Sequence, residues 1–363
     1  MAYTPDFVES LVTSTRIRLA RNFASFPFPR KMDESQAANV AYLVGEGLKR
    51  FESSENYGTQ ISARQARRLR KEYLKFTEHR MSSVDPQTAT LLLEQHLISP
   101  ALLKSKCGAA FVDEENGVSI MVNEEDHVRE QYFCEGFKLV KAYERISAID
   151  DGLGSAYDFA FDDKLGYITA CPSNLGTGMR ASVMIFLPAL SMNGGLKKML
   201  PSIRSEGLTV RGAFGEGTMS EGYLYQVSNE QTLGLSEQEL LEKVTAMTIR
   251  LAEAEYAAQE ELMRVSSTEL KDKCLRSYGV LTNCAILPLS EFKEKMSEVR
   301  FGAVLGIFEM LDRKGFNDLF NDMRPASFRL KNGLETASER DCDVARAEIV
   351  GNVLRELVLT KRK

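Results

Sequence analysis

Leu240, Val244, Met247, Leu251, Ala254, Ala258 and Leu262 recur at intervals of three and four residues, which lays them along one stripe of an α-helix. Just ahead of the stripe, Ser236 and Glu239 form an S-x-x-E pattern, in which each side chain satisfies a backbone N–H of the other residue. A long helix is therefore predicted to begin there. The same signal at Ser266 and Glu269 opens a second helical stretch, and helical spacing continues through Phe292, Met296, Val299 and Ala303, residues 307–311 and residues 344–359. Near the N-terminus, residues 33–51 and 62–76 also read as helices, the second with a solvated basic face carrying Arg64, Arg67, Arg68, Arg70 and Lys71. From residue 118 the pattern changes to short β-rich runs punctuated by glycine. Residues 118–122, 165–170, 182–187 and 223–228 are predicted strands, with helices over 132–146 and 189–203. Such irregular spacing predicts an α+β fold, a mostly antiparallel sheet flanked by helices, rather than regular βαβ alternation. The switch to unbroken helical pattern places a domain boundary near residue 263, giving a mixed domain over 1–263 and an all-helical C-terminal domain over 264–363.

The length of 363 residues fits one larger and one smaller domain at about 150 residues each. The longest nearly apolar run, residues 181–190, contains a proline and falls far short of the roughly 18 residues a bilayer-spanning helix needs. Asp6 and Glu9 interrupt the N-terminus where an export signal would be basic and then apolar, so a cytoplasmic protein is expected. Residues 264–363 carry a net charge of +3 and residues 1–263 carry −8. A tail so mildly basic does not predict direct nucleic-acid binding. Six scattered cysteines without a C-x-x-C pair, and His79, His96 and His127 away from metal-ligand spacing, predict neither a disulfide framework nor a zinc site.

The familiar nucleotide signatures are missing: there is no G-x-x-x-x-G-K-[ST] and no paired H-R-D and D-F-G. What the chain offers instead is arginine set in short polar or glycine-rich segments: Arg16 and Arg18 in STRIR, Arg129 after NEEDHV, Arg180 after CPSNLGTGM, and Arg211 in RGAFGEG. Guanidinium groups stay protonated and match phosphate oxygens with a fork of donors, so several converging on one cleft would neutralise a triphosphate. Taken singly, each is an ordinary surface charge; the functional reading rests on their co-occurrence. Glu125, within Asn123-Glu124-Glu125-Asp126-His127, and Glu216, between two glycines, stand in the same segments. A carboxylate beside such a site would hold a guanidinium substrate bidentately and accept its proton during attack, although an exposed acidic turn accounts for the spacing equally well. Cys171 is followed by Pro172 and a glycine-rich loop that would form an anion nest or simply close a strand end.

Taken together, these segments resemble the catalytic domain of the phosphagen (guanidino) kinases, most closely the bacterial protein-arginine kinases. The resemblance covers residues 14–258 in ordered blocks: STRIRLARN, EQHLISP, SIMVNEEDHVR, LGYITACPSNLGTGMRASVM, RGAFGEG and YQVSNEQTLGLSE. It implies a glutamine-synthetase-like catalytic fold that binds ATP with Mg²⁺. Residue by residue, it assigns Ser14, Thr15, Arg16, Ile17, Arg18, His96, Arg129, Arg180, Ala181, Ser182, Val183, Met184, Arg211, Gly212, Ala213, Phe214, Gly215 and Glu216 to the nucleotide site. Glu125 and Glu216 match the guanidinium-binding acids, and Cys171 matches the family's active-site cysteine. Phe214 stands where kinases of free guanidines commonly place another arginine, and the protein-arginine kinases favour an aromatic there. Those kinases of free guanidines also carry a helical domain ahead of the first arginine motif, whereas thirteen residues precede Ser14 here, which implies a protein substrate.

By the same resemblance, the C-terminal domain would serve dimerisation and phosphoarginine binding through an R-D-x-x-R-A motif. The nearest match is Cys342-Asp343-Val344-Ala345-Arg346-Ala347, with cysteine in place of the first arginine. Asp343 and Arg346 lie on one helical face, where an acid would meet the guanidinium and a cation its phosphate; an ordinary helix ion pair fits the spacing as well. The expected activity is ATP-dependent phosphorylation of protein arginines in stress response and protein quality control, marking proteins for proteolysis. Its expected partners are a zinc-binding activator, substrate repressors and an AAA+ protease. A kinase for free arginine and a catalytically silent phosphoarginine-binding adaptor are the alternatives.

Overall fold

The computed structural model describes residues 5–52, 74–212 and 221–360. Among the described residues, ten strands precede the long helix over Glu237–Asn283: β1 (Val12–Arg21), β2 (Thr77–Arg80), β3 (Ala109–Asp113), β4 (Val118–Val122), β5 (Val128–Glu135), β6 (Phe161–Asp162), β7 (Gly166–Tyr167), β8 (Met179–Phe186), β9 (Leu208–Gly212) and β10 (Leu224–Asn229). Eight of them form one antiparallel sheet in the order β2-β3-β4-β5-β1-β8-β10-β9, and β6 and β7 form a separate hairpin. The helices preceding and flanking this sheet are α1 (Pro5–Leu11), α2 (Glu34–Leu48), α3 (Pro86–Glu94), α4 (Pro100–Lys104), α5 (Leu139–Gly154), α6 (Pro188–Met192), α7 (Gly195–Ser205) and α8 (Glu237–Asn283). Beyond them lie α9 (Leu289–Val304), α10 (Arg313–Asp322), α11 (Pro325–Lys331) and α12 (Glu339–Leu357), with a small antiparallel pair of β11 (Phe308–Met310) and β12 (Val358–Thr360), which corrects the helix expected over 307–311 and the expectation of an all-helical C-terminal domain.

Side chains on a strand alternate between faces, so the central strands sort their residues cleanly. Ile17, Leu19, Val183, Ile185 and Val227 lie on one face, buried to 1% exposure or less, where α5 and α8 pack. Arg16, Arg18 and Arg180 lie on the other. A second core, built around Phe292, Phe308, Phe316, Phe328 and Val350, sits among the C-terminal helices. The long helix α8 is capped by Ser236 and Glu239, as the sequence predicts, and leaves helical geometry at Ser266 (φ −138°, ψ 39°).

Several expectations are corrected. Residues 12–21, to which the sequence pattern assigns no element, form a full strand, in which buried Thr15, Ile17 and Leu19 alternate with Ser14, Arg16 and Arg18. Residues 132–135 belong to β5 rather than to a helix, which starts only at Leu139, after Gly136 has turned the chain at φ +75°. The predicted helix over 189–203 is split into α6 and α7 at Gly194 (φ +71°). The strand expected over 165–170 shrinks to β7. Residues 62–73 of the basic helix lie outside the described residues.

Candidate active site

Cross-strand register brings the five arginines onto one face. Arg18 pairs directly with Arg180 on β8, Ala20 pairs with Arg129 on β5, and Arg211 on β9 pairs with Gln226, which in turn pairs with Met184. Like charges opposite one another on a sheet are destabilising, and the arrangement shows it. Burial, together with Arg129 and Arg180, lowers the Arg16 pKa to about 10; burial, Arg16, Arg129 and Arg180 push Arg18 well below the usual guanidinium range, and burial and Arg211 lower Arg180. The buried Nε groups of Arg18 and Arg180 have no hydrogen-bond acceptor among the described residues. Acidic compensation is slight: Glu124 pairs with Arg129 at 2.5 Å and Glu230 with Arg211 at 3.5 Å. Neutral acceptors hold two others, Gln226 Oε1 at 3.1 Å from Arg16 and Ser228 Oγ at 3.2 Å from Arg180. A surface that concentrates cations at the expense of stability is built for an anion.

Ser14, Ser182 and Met184 share this open face. Thr15, Ile17, Ala181 and Val183 do not: their side chains are buried on the helix-covered side, and Thr15 Oγ1 donates to the Gly136 carbonyl at 2.6 Å. Gly212 ends β9, and Ala213, Phe214, Gly215 and Glu216 lie outside the described residues. His96 follows α3 with φ +60°, and its carbonyl accepts a hydrogen bond from Gln131 Nε2 at 2.7 Å. Burial, Arg324 and Arg16 hold its imidazole neutral, with the pKa lowered to about 4. Because the unfolded chain takes up this proton near the ordinary value and the folded chain refuses it, the stability present above pH 6.5 is lost as pH falls through 4. The neutral variant His96→Asn, suited to positive φ, should flatten the acid limb of a stability–pH curve between pH 6.5 and 4, by less than the shift alone implies because the residue is open to solvent.

Glu125 is exposed at the tip of the turn between β4 and β5. Its neighbours are fixed. Asn123 takes φ +59°, and its amide donates to the carbonyls of Ala37 and Cys107 at 2.9 and 3.1 Å. Asp126 is buried, and its Oδ1 accepts from both Asn22 Nδ2 and the Ala170 N–H at 2.7 Å. His127 accepts from the Phe23 N–H at Nδ1 and meets the Pro27 carbonyl at Nε2, 2.8 Å away, so Nε2 carries the proton. Asp126 thus ties the turn bearing Glu125 to the segment that leads into Cys171. Half-buried Cys171 starts the short 3₁₀ turn Pro172–Asn174, its sulfur 3.0 Å from Ser173 Oγ. Beyond it, Gly178 (φ +62°) passes so close to β1 that a Cβ would lie 2.6 Å from the Ala20 carbonyl oxygen. Asn22 and Asp126 carry no substrate chemistry of their own and escaped sequence reasoning; a buried acid inside the run NEEDHV is their one trace. Asp126→Ala should leave the Ala170 N–H without its acceptor and cost about 1–3 kcal/mol in unfolding experiments.

Asp343 and Arg346 lie far from this face, on α12. They meet each other rather than an open cleft: Arg346 Nη1 donates to Asp343 Oδ1 at 2.5 Å and to the Leu287 carbonyl at 2.7 Å, with the guanidinium over the Phe328 ring and 3% of its side chain exposed.

Residues 59–258 match the family described as ATP:guanido phosphotransferase, C-terminal catalytic domain, and residues 267–362 match the Protein-arginine kinase McsB C-terminal domain. The chain is 38% identical over 352 residues to a protein-arginine kinase of Caldanaerobacter subterraneus subsp. tengcongensis, covering 97% of this chain and 99% of that one. It is 40% identical to one of Moorella thermoacetica (95% and 94% covered) and 37% identical to one of Bacillus subtilis (94% and 89%). Among solved structures, lombricine kinase matches with a TM-score of 0.57 at 24% identity, covering 70% of this chain and 68% of that one. The duplicated taurocyamine kinase from Schistosoma mansoni matches with a TM-score of 0.60 at 21% identity, covering 84% and 47%. The fold is thus that of the guanidino kinases, and the chain belongs to the protein-arginine kinases within the ATP:guanido phosphotransferase family.

Proposed function

We propose that this protein transfers the γ-phosphoryl group of ATP to arginine side chains of proteins. The observation that carries the reading is the gathering of Arg16, Arg18, Arg129, Arg180 and Arg211 on one sheet face, their mutual repulsion largely uncompensated. ATP phosphates relieve that repulsion, and the guanidinium groups neutralise charge on the transferring phosphoryl group. Glu125, projecting at the edge of the face, holds the acceptor guanidinium together with Glu216. One of these carboxylates accepts the departing proton while the nitrogen–phosphorus bond forms and the bond from phosphorus to the ADP oxygen breaks. Cys171 joins the same acceptor site from the neighbouring loop. Among the described residues the face offers cations and no cluster of carboxylates, so Mg²⁺ fits here as ATP's companion, held by phosphate oxygens and water.

The division into a catalytic domain over 1–263 and a helical domain over 264–363 belongs to the same proposal, as do homodimerisation and a cytoplasmic location. No helix among the described residues is long and apolar enough to cross a membrane. A role in marking proteins for an AAA+ protease, with a zinc-binding activator, extends the reading to partners. Phosphoarginine binding at Asp343 and Arg346 would require their ion pair to open. Incubation with MgATP and casein, or with free arginine, followed by mass spectrometry without acid, tests the function. Phosphoarginine on casein in clear excess over phosphorylated free arginine is expected; the reverse ratio points to a small-molecule kinase, and no product in either to an adaptor.

A further inference from the structure

The arginine face does not end in solvent. One two-residue step along the strands, about 7 Å, takes β1 from Arg16 to Ser14, β5 from Phe133, which lies opposite Arg16, to Glu135, and β8 from Ser182 to Met184. Over that step the arginine cluster gives way to a mixed surface, in which Phe133, Met184 and Leu224 stand beside Ser14 and Glu135. A cleft of about 120 Å³ opens there, floored by Ser14, Phe133, Met184 and Leu224, with His96 at its side. Phe133 is unusual for a central strand in being 38% exposed. The opposite wall comes from the C-terminal helices: Asn317, Phe320, Asn321 and Arg324. A second cavity of about 190 Å³ shares His96, Phe320 and Arg324 with the first.

Resting on the phosphate-clamp reading above, we propose that the helical domain supplies one wall of the pocket for the base and ribose of ATP. A triphosphate lying on the arginines directs its nucleoside along the strands, and this cleft adjoins the arginines on the same face. The cleft has the right chemistry. Phe133 and Phe320 offer rings for a planar heterocycle, and Asn317 and Asn321 offer amides for its polar edge. Both amides are oriented, since Asn317 Oδ1 accepts from Arg300 at 2.7 Å and Asn321 Oδ1 from Arg324 at 2.9 Å. The wall is also anchored to the catalytic domain beside His96. The Glu94 carboxylate accepts from the Ala326 and Ser327 N–H groups at 2.8 and 3.1 Å, and Arg324 donates to the Glu94 carbonyl. Nucleotide binding and the seating of the helical domain are therefore linked, and each strengthens the other.

The test measures binding of ATP and of inorganic tripolyphosphate to the full chain by calorimetry, for the wild type, Phe320→Ala, Asn321→Ala and Arg18→Met. Phe320→Ala should weaken ATP about tenfold or more, as loss of a stacking surface does, and Asn321→Ala severalfold, both leaving tripolyphosphate affinity unchanged. Asn321 is exposed, so its variant keeps the test valid even where Phe320→Ala impairs folding. Wild-type ATP affinity in folded Phe320→Ala and in Asn321→Ala would overturn the proposal. Failure of the phosphate-clamp reading looks different: Arg18→Met would then bind both ligands as the wild type does.

Discussion

Arg18→Met should make the protein more stable and stop phosphoryl transfer. The two effects share one cause. Arg18 faces Arg180 across the strand pair, feels Arg16 and Arg129 as well, and leaves its Nε without an acceptor. Replacing such a group by an apolar side chain of similar length removes repulsion and desolvation together, for a gain of about 1–2 kcal/mol and a rise in Tm of about 2–4 °C. The same replacement takes one cation from the phosphates, where arginines of this kind contribute about 10³-fold or more to rate. Differential scanning fluorimetry and a phosphoryl-transfer assay on the same preparation read both. In the wild type, ATP should restore the stability that the free arginine face forgoes; in the variant that ligand-induced rise in Tm should shrink. A variant both less stable and fully active would contradict the reading.

Glu125→Gln should give the opposite pattern, with Tm and ATP affinity unchanged and turnover lost. The side chain is exposed and the described structure gives it no partner of its own, while its neighbours Glu124 and Asp126 are committed, one to Arg129 and the other to Asn22 and Ala170. An amide keeps the shape and can still accept a hydrogen bond from a guanidinium, but it cannot take the proton that leaves when nitrogen attacks phosphorus. The expected fall in kcat is about 10²–10⁴-fold, with the KM for ATP near the wild-type value. Glu124→Gln provides the contrast, because it removes the acid that compensates Arg129 and should lower the KM for ATP.

Much of this site was legible because its chemistry is local in sequence. STRIR displays two arginines at a spacing of two, and in a strand that spacing puts both on one face. What the sequence could not display was register. That Arg18 meets Arg180 follows from the pairing of β1 with β8 across more than a hundred residues, and that Arg211 reaches the same face through Gln226 follows from the pairing of β8, β10 and β9 in turn. The same gap explains why Thr15, Ile17, Ala181 and Val183 were grouped with the nucleotide ligands: a contiguous motif in a strand contributes only alternate side chains to a face. Positioning groups were hidden for another reason. Asn22 and Asp126 act through hydrogen bonds to backbone groups distant in sequence, and no spacing rule anticipates those. Phe320 and Asn321 were invisible as well, since contacts distant in sequence, of Arg313 with the Ser10 carbonyl and of α11 with Glu94, bring their helix to the open face.

The most direct measurement is the structure of the full chain with a non-hydrolysable ATP analogue. The account predicts β- and γ-phosphate oxygens within hydrogen-bond reach of Arg18, Arg129 and Arg180, with the γ-phosphate on the side nearest Glu125. Phosphates bound elsewhere, for instance in the basic cavity of about 580 Å³ lined by Arg80, Lys104 and Lys106, with the arginine face empty, would contradict it.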